Sequence, residues 1–316
     1  MHALLILPAA ENPGGVYERS LRAAHPDATF TAVEHHVDAT AHASTADVLM
    51  TFSPFMADHV LREAPRLRWI QVLGSGVDGV VNLPSLRPEV IVTTGRGVQA
   101  APVSEAALAL MFALSRDIPR MILNQRERRW QRWPSQLLEG RMLGILGVGQ
   151  IGETLARKAG ALGMRVIGIS SGSRTVEGFD RMYSRAELHN AVRQLDFLVV
   201  LTPYSAETHH IVDAAVLAAM HPKAFLVNLA RGGVVNEMDL VDALREGRIA
   251  GAALDVFLQE PLPPQDPLWS LPNVIISPHL GGLNSSYPDS VLPLVLRNVE
   301  LFRAGRIAEM QNVVSR

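Results

Sequence analysis

The sequence predicts an α/β protein of two domains, each built on a doubly wound parallel sheet, and three observations lead there. Short apolar runs alternate with amphipathic stretches along most of the chain, the pattern of repeated β-α units. One of those runs, Leu143-Gly144-Ile145-Leu146, opens directly into the glycine-rich turn Gly147-Val148-Gly149-Gln150-Ile151-Gly152 and then into helical spacing over 153–162. A chain of 316 residues also corresponds to about two domains of ordinary size.

Bulk properties narrow the function before any motif is used. Lys and Arg number 29 against 31 Asp and Glu, a net charge of −2, which argues against a dedicated nucleic-acid or polyanion binder. With no cysteine there can be no disulfide, thiolate metal site or cysteine nucleophile, and a reducing cytoplasm is the expected location. No metal site is read from the sequence. The opening Met1-His2-Ala3-Leu4-Leu5-Ile6-Leu7-Pro8 lacks a basic leader, and its apolar run is too short for a signal peptide or membrane span. It reads instead as a first buried strand.

Taken in order, strands are expected at 3–7, 47–50, 68–73 and 90–93, with a helix at 56–63, making a small α/β domain up to about residue 97. The turn Leu73-Gly74-Ser75-Gly76 ends one of these strands. Its successive N–H groups can form a nest for a carboxylate, although a tight turn bound to nothing satisfies the same residues. Pro102-Val103-Ser104-Glu105 opens a long helix that is almost wholly apolar through Leu108, Leu110, Met111, Phe112 and Leu114, hence expected to be buried on most sides, between domains or subunits. Arg116, Arg120, Arg126, Arg128, Arg129 and Arg132 follow, interleaved with Trp130 and Trp133. On a near-neutral chain they read as a solvated or subunit-contact face rather than a nucleic-acid surface.

Beyond the glycine-rich turn, strands are expected at 143–147, 165–169, 197–201, 225–228, 250–254 and 274–277. The capping box Ser184-Arg185-Ala186-Glu187 and the stretch 236–246 ahead of Gly247 mark helices between them. The helical spacing of Leu292, Val295, Leu296, Val299 and Phe302 lies past the point where this second domain is complete, near 283. That last helix therefore returns to the first domain, which becomes discontinuous.

Strand, glycine-rich turn, helix and second strand together form the dinucleotide fingerprint. Gly147 permits the tight turn, Gly149 lets backbone approach a pyrophosphate, and Gly152 lets helix pack on strand. The helix start offers free N–H groups and a favourable dipole to the anion. An acid usually ends the second strand to bind the adenosine ribose, but this chain has Ser170-Ser171-Gly172-Ser173-Arg174 there. Hydroxyls and a guanidinium suit a 2′-phosphate, so NADP(H) is expected over NAD(H), which stays possible. Gly168-Ile169-Ser170-Ser171-Gly172 also matches the nucleophile elbow of hydrolases. That elbow requires a helix directly after its serine, and the residues following are a poor helix start.

Three stretches at expected strand ends carry chemistry: Asn228-Leu229-Ala230-Arg231-Gly232-Gly233, the run from Asp255 through Glu260-Pro261-Leu262, and Ser277-Pro278-His279-Leu280-Gly281-Gly282. Ligands of open α/β sheets gather just beyond the carboxyl ends of strands. Singly, Arg231 reads as a surface ion pair, Glu260 as a loop charge and His279 as a turn histidine. As a set they can bind a carboxylate, tune a base and move a proton.

With these motifs the chain resembles the D-isomer-specific 2-hydroxyacid dehydrogenases over nearly its whole length, and looks closest to their glyoxylate/hydroxypyruvate reductase members. The resemblance implies a doubly wound Rossmann-type cofactor domain at 98–283. It also implies a smaller, discontinuous flavodoxin-like α/β substrate domain at 1–97 and 284–316, with the active site in the cleft between, and a homodimer joined through 104–132. By the same resemblance Arg231 holds the carboxylate of a small 2-oxo acid, helped by backbone N–H groups of Gly74, Ser75 and Gly76. His279 is the proton donor, paired with Glu260. Gly147, Gly149, Gln150, Ile151, Gly152, Ser170, Ser171, Ser173 and Arg174 hold the dinucleotide, while Thr202, Pro203, Ala230, Asp255, His279 and Gly281 border the nicotinamide. Substrate preference is expected to depend on Ser53-Pro54-Phe55-Met56 and on the stretch after His279. Relatives of this fold also act as dinucleotide-sensing corepressors, an alternative that the retained Arg231, Glu260 and His279 disfavour.

Overall fold

The computed structural model describes residues 1–172 and 175–315. The chain divides into two compact units, Met1–Gln99 with Leu283–Arg316, and Ala100–Gly282.

In the first unit β1 (His2–Ile6), β2 (Thr29–Val33), β3 (Val48–Thr51), β4 (Trp69–Val72) and β5 (Ile91–Thr94) make a five-stranded sheet. The order is β2-β1-β3-β4-β5 and every pairing is parallel, the flavodoxin-like arrangement. Helices α1 (Val16–Ala24), α2 (His36–Ala43), α3 (Asp58–Arg62) and α4 (Asp78–Val81) fall between the strands. Successive side chains of β1 enter opposite cores: Ala3 and Leu5 meet Tyr17, Leu21 and Trp69, while Leu4 and Ile6 meet Ala39, Val60 and Ile70. A strand covered on both faces needs apolar residues at every position, which is why the run is continuous rather than alternating.

The second unit begins with α5 (Ala100–Arg116) and α6 (Ile118–Arg126). It continues through β6 (Met142–Leu146), α7 (Gln150–Ala161), β7 (Arg165–Ser170), β8 (Arg181–Ser184), α8 (Leu188–Val192), β9 (Phe197–Val200), α9 (Ala214–Ala219), β10 (Phe225–Asn228), α10 (Glu237–Arg245), β11 (Gly251–Leu254) and β12 (Val274–Ile276). The seven strands pair in parallel in the order β12-β11-β10-β9-β6-β7-β8. From β6 the chain first builds outward through β7 and β8, then resumes on the other side at β9. The reversal between β6 and β9 opens the crevice where ligands of doubly wound sheets bind.

The chain then returns to the first unit with α11 (Tyr287–Arg303), whose Val291, Val295, Val299 and Phe302 lie buried against the core of that sheet. Each fully buried valine is worth roughly 1.5–3 kcal/mol relative to exposure. Asn298, on the same helix and wholly buried, donates to Gln71 Oε1 (3.1 Å) and accepts from Gln311 N (2.8 Å). Trp69 Nε1 donates to Thr93 Oγ1 (2.8 Å), which in turn donates to Gln71 Oε1 (2.8 Å). This satisfied network specifies how the returning helix sits on β4 and β5.

One local expectation is corrected and two are sharpened. β2 and β8 are absent from the expected strands, and both are sheet edges: Thr-Phe-Thr-Ala-Val and Arg-Met-Tyr-Ser each bury a single residue fully. Strands with one covered edge carry a weak apolar signal. Helix α5 buries one stripe, through Val103, Ala107, Met111 and Leu114, and leaves Phe112 exposed, so it is not covered on most sides within this chain. In the 53–56 loop Met56 is a core residue and Ser53 is buried, its Oγ accepting from Gly79 N (2.8 Å), which leaves only Pro54 and Phe55 turned outward.

Candidate active site

The glycine-rich turn lies at the end of β6, beside the start of the loop after β9. Gly147 has φ +109°, a backbone conformation in which any Cβ is strained, and a Cβ there would stand 2.4 Å from Thr202 N. A Cβ on Gly152 would meet Gly147 O at 2.6 Å, so this glycine sets how closely α7 packs on its strand. Gly149 differs, since nothing lies within 4 Å of the Cβ it lacks. It caps α7 from an extended conformation, Gln150 beside it is exposed and Ile151 half-buried. Among the described residues no acceptor lies on the N–H groups of Gly149 and Gln150. An open glycine over unpartnered helix-start N–H groups fits a pyrophosphate.

At the end of β7, Ser170 is half-buried and its Oγ donates to the carbonyl of Gly172 (2.7 Å), while Ser171 is exposed. No carboxylate stands at this strand end through residue 172. Ser173 and Arg174 lie outside the described residues. Among the described residues no helix follows Ser170 directly, Ser171 and Gly172 forming a bend, so the hydrolase-like motif has no elbow geometry.

Arg231, Glu260 and His279 come together on the loops after β10, β11 and β12. Backbone contacts make the three loops one body. Asn228, the last residue of β10, accepts from Ala230 N (3.1 Å) and donates to Arg231 O (3.1 Å), folding the loop back on its strand. Arg231 Nη1 donates to Ala230 O at 2.7 Å. A Cβ on Gly232 would lie 2.0 Å from the carbonyl carbon of Phe257, so the loop bearing Arg231 rests directly on the Phe257-Leu258 peptide. Phe257 N donates to Glu260 Oε1 (3.0 Å), and Glu260 Oε2 meets His279 Nδ1 at 2.7 Å.

Asp255 fixes the histidine turn. It is 2% exposed, and its Oδ1 accepts from Leu280 N (2.8 Å) and Ser277 Oγ (2.5 Å) while Oδ2 accepts from Gly281 N (2.9 Å). His279 N donates to Asp255 O (2.9 Å), and His279 itself has φ +55°, rare for a residue with a Cβ. A left-handed residue costs roughly 1–2 kcal/mol, here offset by bonds to Asp255. Gly281 is forced by the same contact, its Cβ position lying 2.7 Å from Asp255 Oδ2. Thr202 and Ala230 are buried and Pro203 exposed at neighbouring strand ends.

The electrostatics follow from this geometry. The Glu260 hydrogen bond raises the His279 pKa above the ordinary imidazole value, against burial and the Arg231 charge and with the help of Asp255. Glu260 is itself held below the usual carboxylate range: burial pushes it up, but the His279 bond, the Phe257 N–H and the charges of His279 and Arg231 outweigh it. The imidazolium form of His279 is thus favoured, with Nδ1 committed to a carboxylate and the Arg231 guanidinium nearby.

In the first unit, the Gly74-Ser75-Gly76 turn follows β4. Among the described residues no backbone acceptor lies on its three N–H groups, Ser75 is exposed, and Gly74 O accepts from Gly95 N (2.8 Å). Glu237, overlooked in the sequence, belongs to the second unit's site: its Oε1 accepts from Leu258 N at 2.6 Å. Only its place just after a helix cap following Arg231 could have drawn notice.

Residues 108–281 match the family model described as D-isomer specific 2-hydroxyacid dehydrogenase, NAD binding domain. The chain belongs to this family. A glyoxylate reductase of Korarchaeum cryptofilum is 35% identical over 256 residues, covering 78% of this chain and 76% of its own. Among solved structures, a D-isomer specific 2-hydroxyacid dehydrogenase family protein from Aeromonas salmonicida aligns with a TM-score of 0.88 at 36% identity over 99% of both chains. The NADPH-dependent glyoxylate/hydroxypyruvate reductase of Sinorhizobium meliloti, in complex with NADP and sulfate, aligns at 0.85 with 27% identity over 99% of this chain and 98% of that one. As a family member this dehydrogenase is an NAD(P)-dependent oxidoreductase with a Rossmann-type cofactor domain and a flavodoxin-like partner domain. Among its described residues no helix is long and apolar enough to cross a membrane.

Proposed function

We propose that this dehydrogenase reduces a small 2-oxo acid of the glyoxylate/hydroxypyruvate class to the D-2-hydroxy acid with NADPH, His279 donating the proton. The observation that carries the reading is the 2.7 Å contact of His279 Nδ1 with Glu260 Oε2, at the strand ends of the dinucleotide sheet and within the field of Arg231. With Nδ1 held, Nε2 is the N–H left to serve a substrate oxygen. Arg231 binds the substrate carboxylate and polarises the neighbouring carbonyl, and the N–H groups of Gly74, Ser75 and Gly76 supply further donors. The chemistry the cofactor brings when bound is a hydride delivered to the substrate's C2. As the carbonyl oxygen gains charge, His279 transfers its proton there, and Glu260 steadies the imidazolium until that moment. In the reverse direction neutral His279 is the base.

Gly147, Gly149, Gln150, Ile151 and Gly152 would cradle the pyrophosphate. Thr202, Pro203, Ala230, Asp255 and Gly281 would border the nicotinamide. Preference for NADPH rests on Ser170 and Ser171 standing where an acid would repel a 2′-phosphate, joined by Ser173 and Arg174; the NADP complex of the Sinorhizobium meliloti relative supports it. A homodimer is supported by apolar surface on and after α5 and α6, where Phe112, Ile122 and Leu123 are 42%, 46% and 56% exposed and Trp130 94%.

The test is absorbance at the reduced-nicotinamide band with NADPH and NADH against 2-oxo acids from glyoxylate upward. Faster oxidation of NADPH with one acid preferred is expected. Faster oxidation of NADH discards the cofactor preference, and binding of both without turnover discards the reaction.

A further inference from the structure

Phe257 and Leu258 present consecutive backbone N–H groups, and each is taken by a different carboxylate. Phe257 N donates to Glu260 Oε1 (3.0 Å) and Leu258 N donates to Glu237 Oε1 (2.6 Å). The first of these carboxylates carries His279 on its other oxygen. The second comes from the first residue of α10, and it is not used to start that helix. Asn236 caps α10, accepting from Asp239 N (3.4 Å), and the Asp239 carboxylate accepts from Ala214 N (2.9 Å). Glu237 instead reaches across 21 positions of sequence to the loop after β11.

We infer that Glu237 is a positioning residue for the Glu260–His279 pair, acting through the Phe257-Leu258 peptide. That peptide is held by two groups. Gly232 lies directly against it, a Cβ there standing 2.0 Å from Phe257 C and 2.3 Å from Leu258 N, and the Glu237 carboxylate accepts its N–H at 2.6 Å. Glu260 is seated on the N–H of the preceding peptide, which meets this one at Phe257 Cα, so a swing passed on through Phe257 shifts Glu260 Oε2 relative to His279 Nδ1. A strong His279–Glu260 bond needs heavy atoms within a few tenths of an ångström of 2.7 Å, so a small swing is enough to weaken it.

The charged surroundings are consistent with a held group. Glu237 faces Asp266 and Glu260; burial first, and then these two charges, raise its pKa, with the Leu258 bond opposing. His279 faces Glu260, Arg231 and Asp255. Glu237 does not act on His279 directly, so its influence passes through the loop.

The inference rests on the proposed role of His279, and its test therefore reads the imidazole itself. The His279 ring is titrated by NMR in the full-length protein, its signal identified by loss in His279→Gln. In Glu237→Ala the titration point should fall by about half a pH unit or more toward the ordinary imidazole value of about 6.5. Glu237→Gln keeps the accepting oxygen and should titrate close to wild type. Glu237→Asp keeps the charge but not the reach; it should fall like alanine, and it decides the matter if the alanine variant does not fold. The alkaline limb of turnover should move with the NMR value. An alanine or aspartate variant titrating as wild type overturns the inference, as does a glutamine variant displaced as far as alanine, because charge would then matter and the bond would not. A wild-type protein that reduces no 2-oxo acid removes the proposed reaction, while the titration still decides Glu237.

Discussion

The two parallel sheets end their strands differently. Beyond β10, β11 and β12 the loops carry Arg231, Glu260 and His279, where Glu260 and His279 shift each other within the field of the Arg231 charge. Beyond β3 and β4 the first unit offers a buried Ser53 and the bare N–H groups of Gly74, Ser75 and Gly76. Both sheets have topological switch points, so topology alone makes each a candidate site. The difference teaches that two switch points of like topology can carry unlike chemistry: charged groups able to move a proton at one, uncharged N–H donors able to hold an anion at the other.

The comparison is broken most decisively at His279. Replacing it with alanine should lower turnover in the reducing direction by about 10²–10⁴-fold, the usual contribution of a positioned general acid, while NADPH affinity by fluorescence titration stays near wild type. Undiminished turnover would return the proton donor to an unknown group. Arg231→Lys keeps the charge and loses the planar fork, so kcat/KM for the 2-oxo acid should fall by roughly 10–100-fold; equal steady-state constants would mean that no carboxylate is bound there. Gly149→Val fills the open space over the helix start and should weaken NADPH binding about tenfold or more with little change in melting temperature. If the protein unfolds early instead, Gly149 is a packing residue like Gly152.

A pH profile sharpens the same contrast. The His279 pKa is raised, so its imidazolium persists above the ordinary range and the acid for reduction is lost only as pH rises through that raised value. Glu260 is lowered and stays ionised until pH falls below its depressed value. Glu260→Gln should therefore shift the alkaline limb of reduction downward, with the acid side little altered, and an unmoved limb would separate Glu260 from the proton. The smallest effect belongs to the first unit. If Ser75 contributes its backbone N–H, Ser75→Ala should leave KM within about twofold, and a much larger rise would assign the hydroxyl instead.

What the sequence made legible tracks burial and covalent neighbourhood. Central strands such as β6 and β9 are covered on both faces and announce themselves as unbroken apolar runs, whereas the edge strands β2 and β8 do not. The glycine-rich turn was readable because consecutive residues carry the whole motif. Arg231, Glu260 and His279 were readable because each sits near the end of a strand with a recognisable local pattern. Glu237 was not, since its partner lies 21 residues away and its own surroundings look like an ordinary helix start. What covers the open face of α5 was not legible, because periodicity shows which residues are apolar and not whether this chain covers them.

The left-handed backbone at His279 also bears on how a silent form of this dehydrogenase is best made. Alanine at that position inherits the conformational penalty and loses the Glu260 contact that helps to hold it. Glycine accepts φ near +55° without penalty, so His279→Gly should keep the bonds from the turn to Asp255 while removing the proton donor. Such a protein would hold oxidant and reductant side by side while reacting them about 10²–10⁴-fold more slowly, a long-lived ternary complex suited to ligand screening by thermal shift or to crystallography.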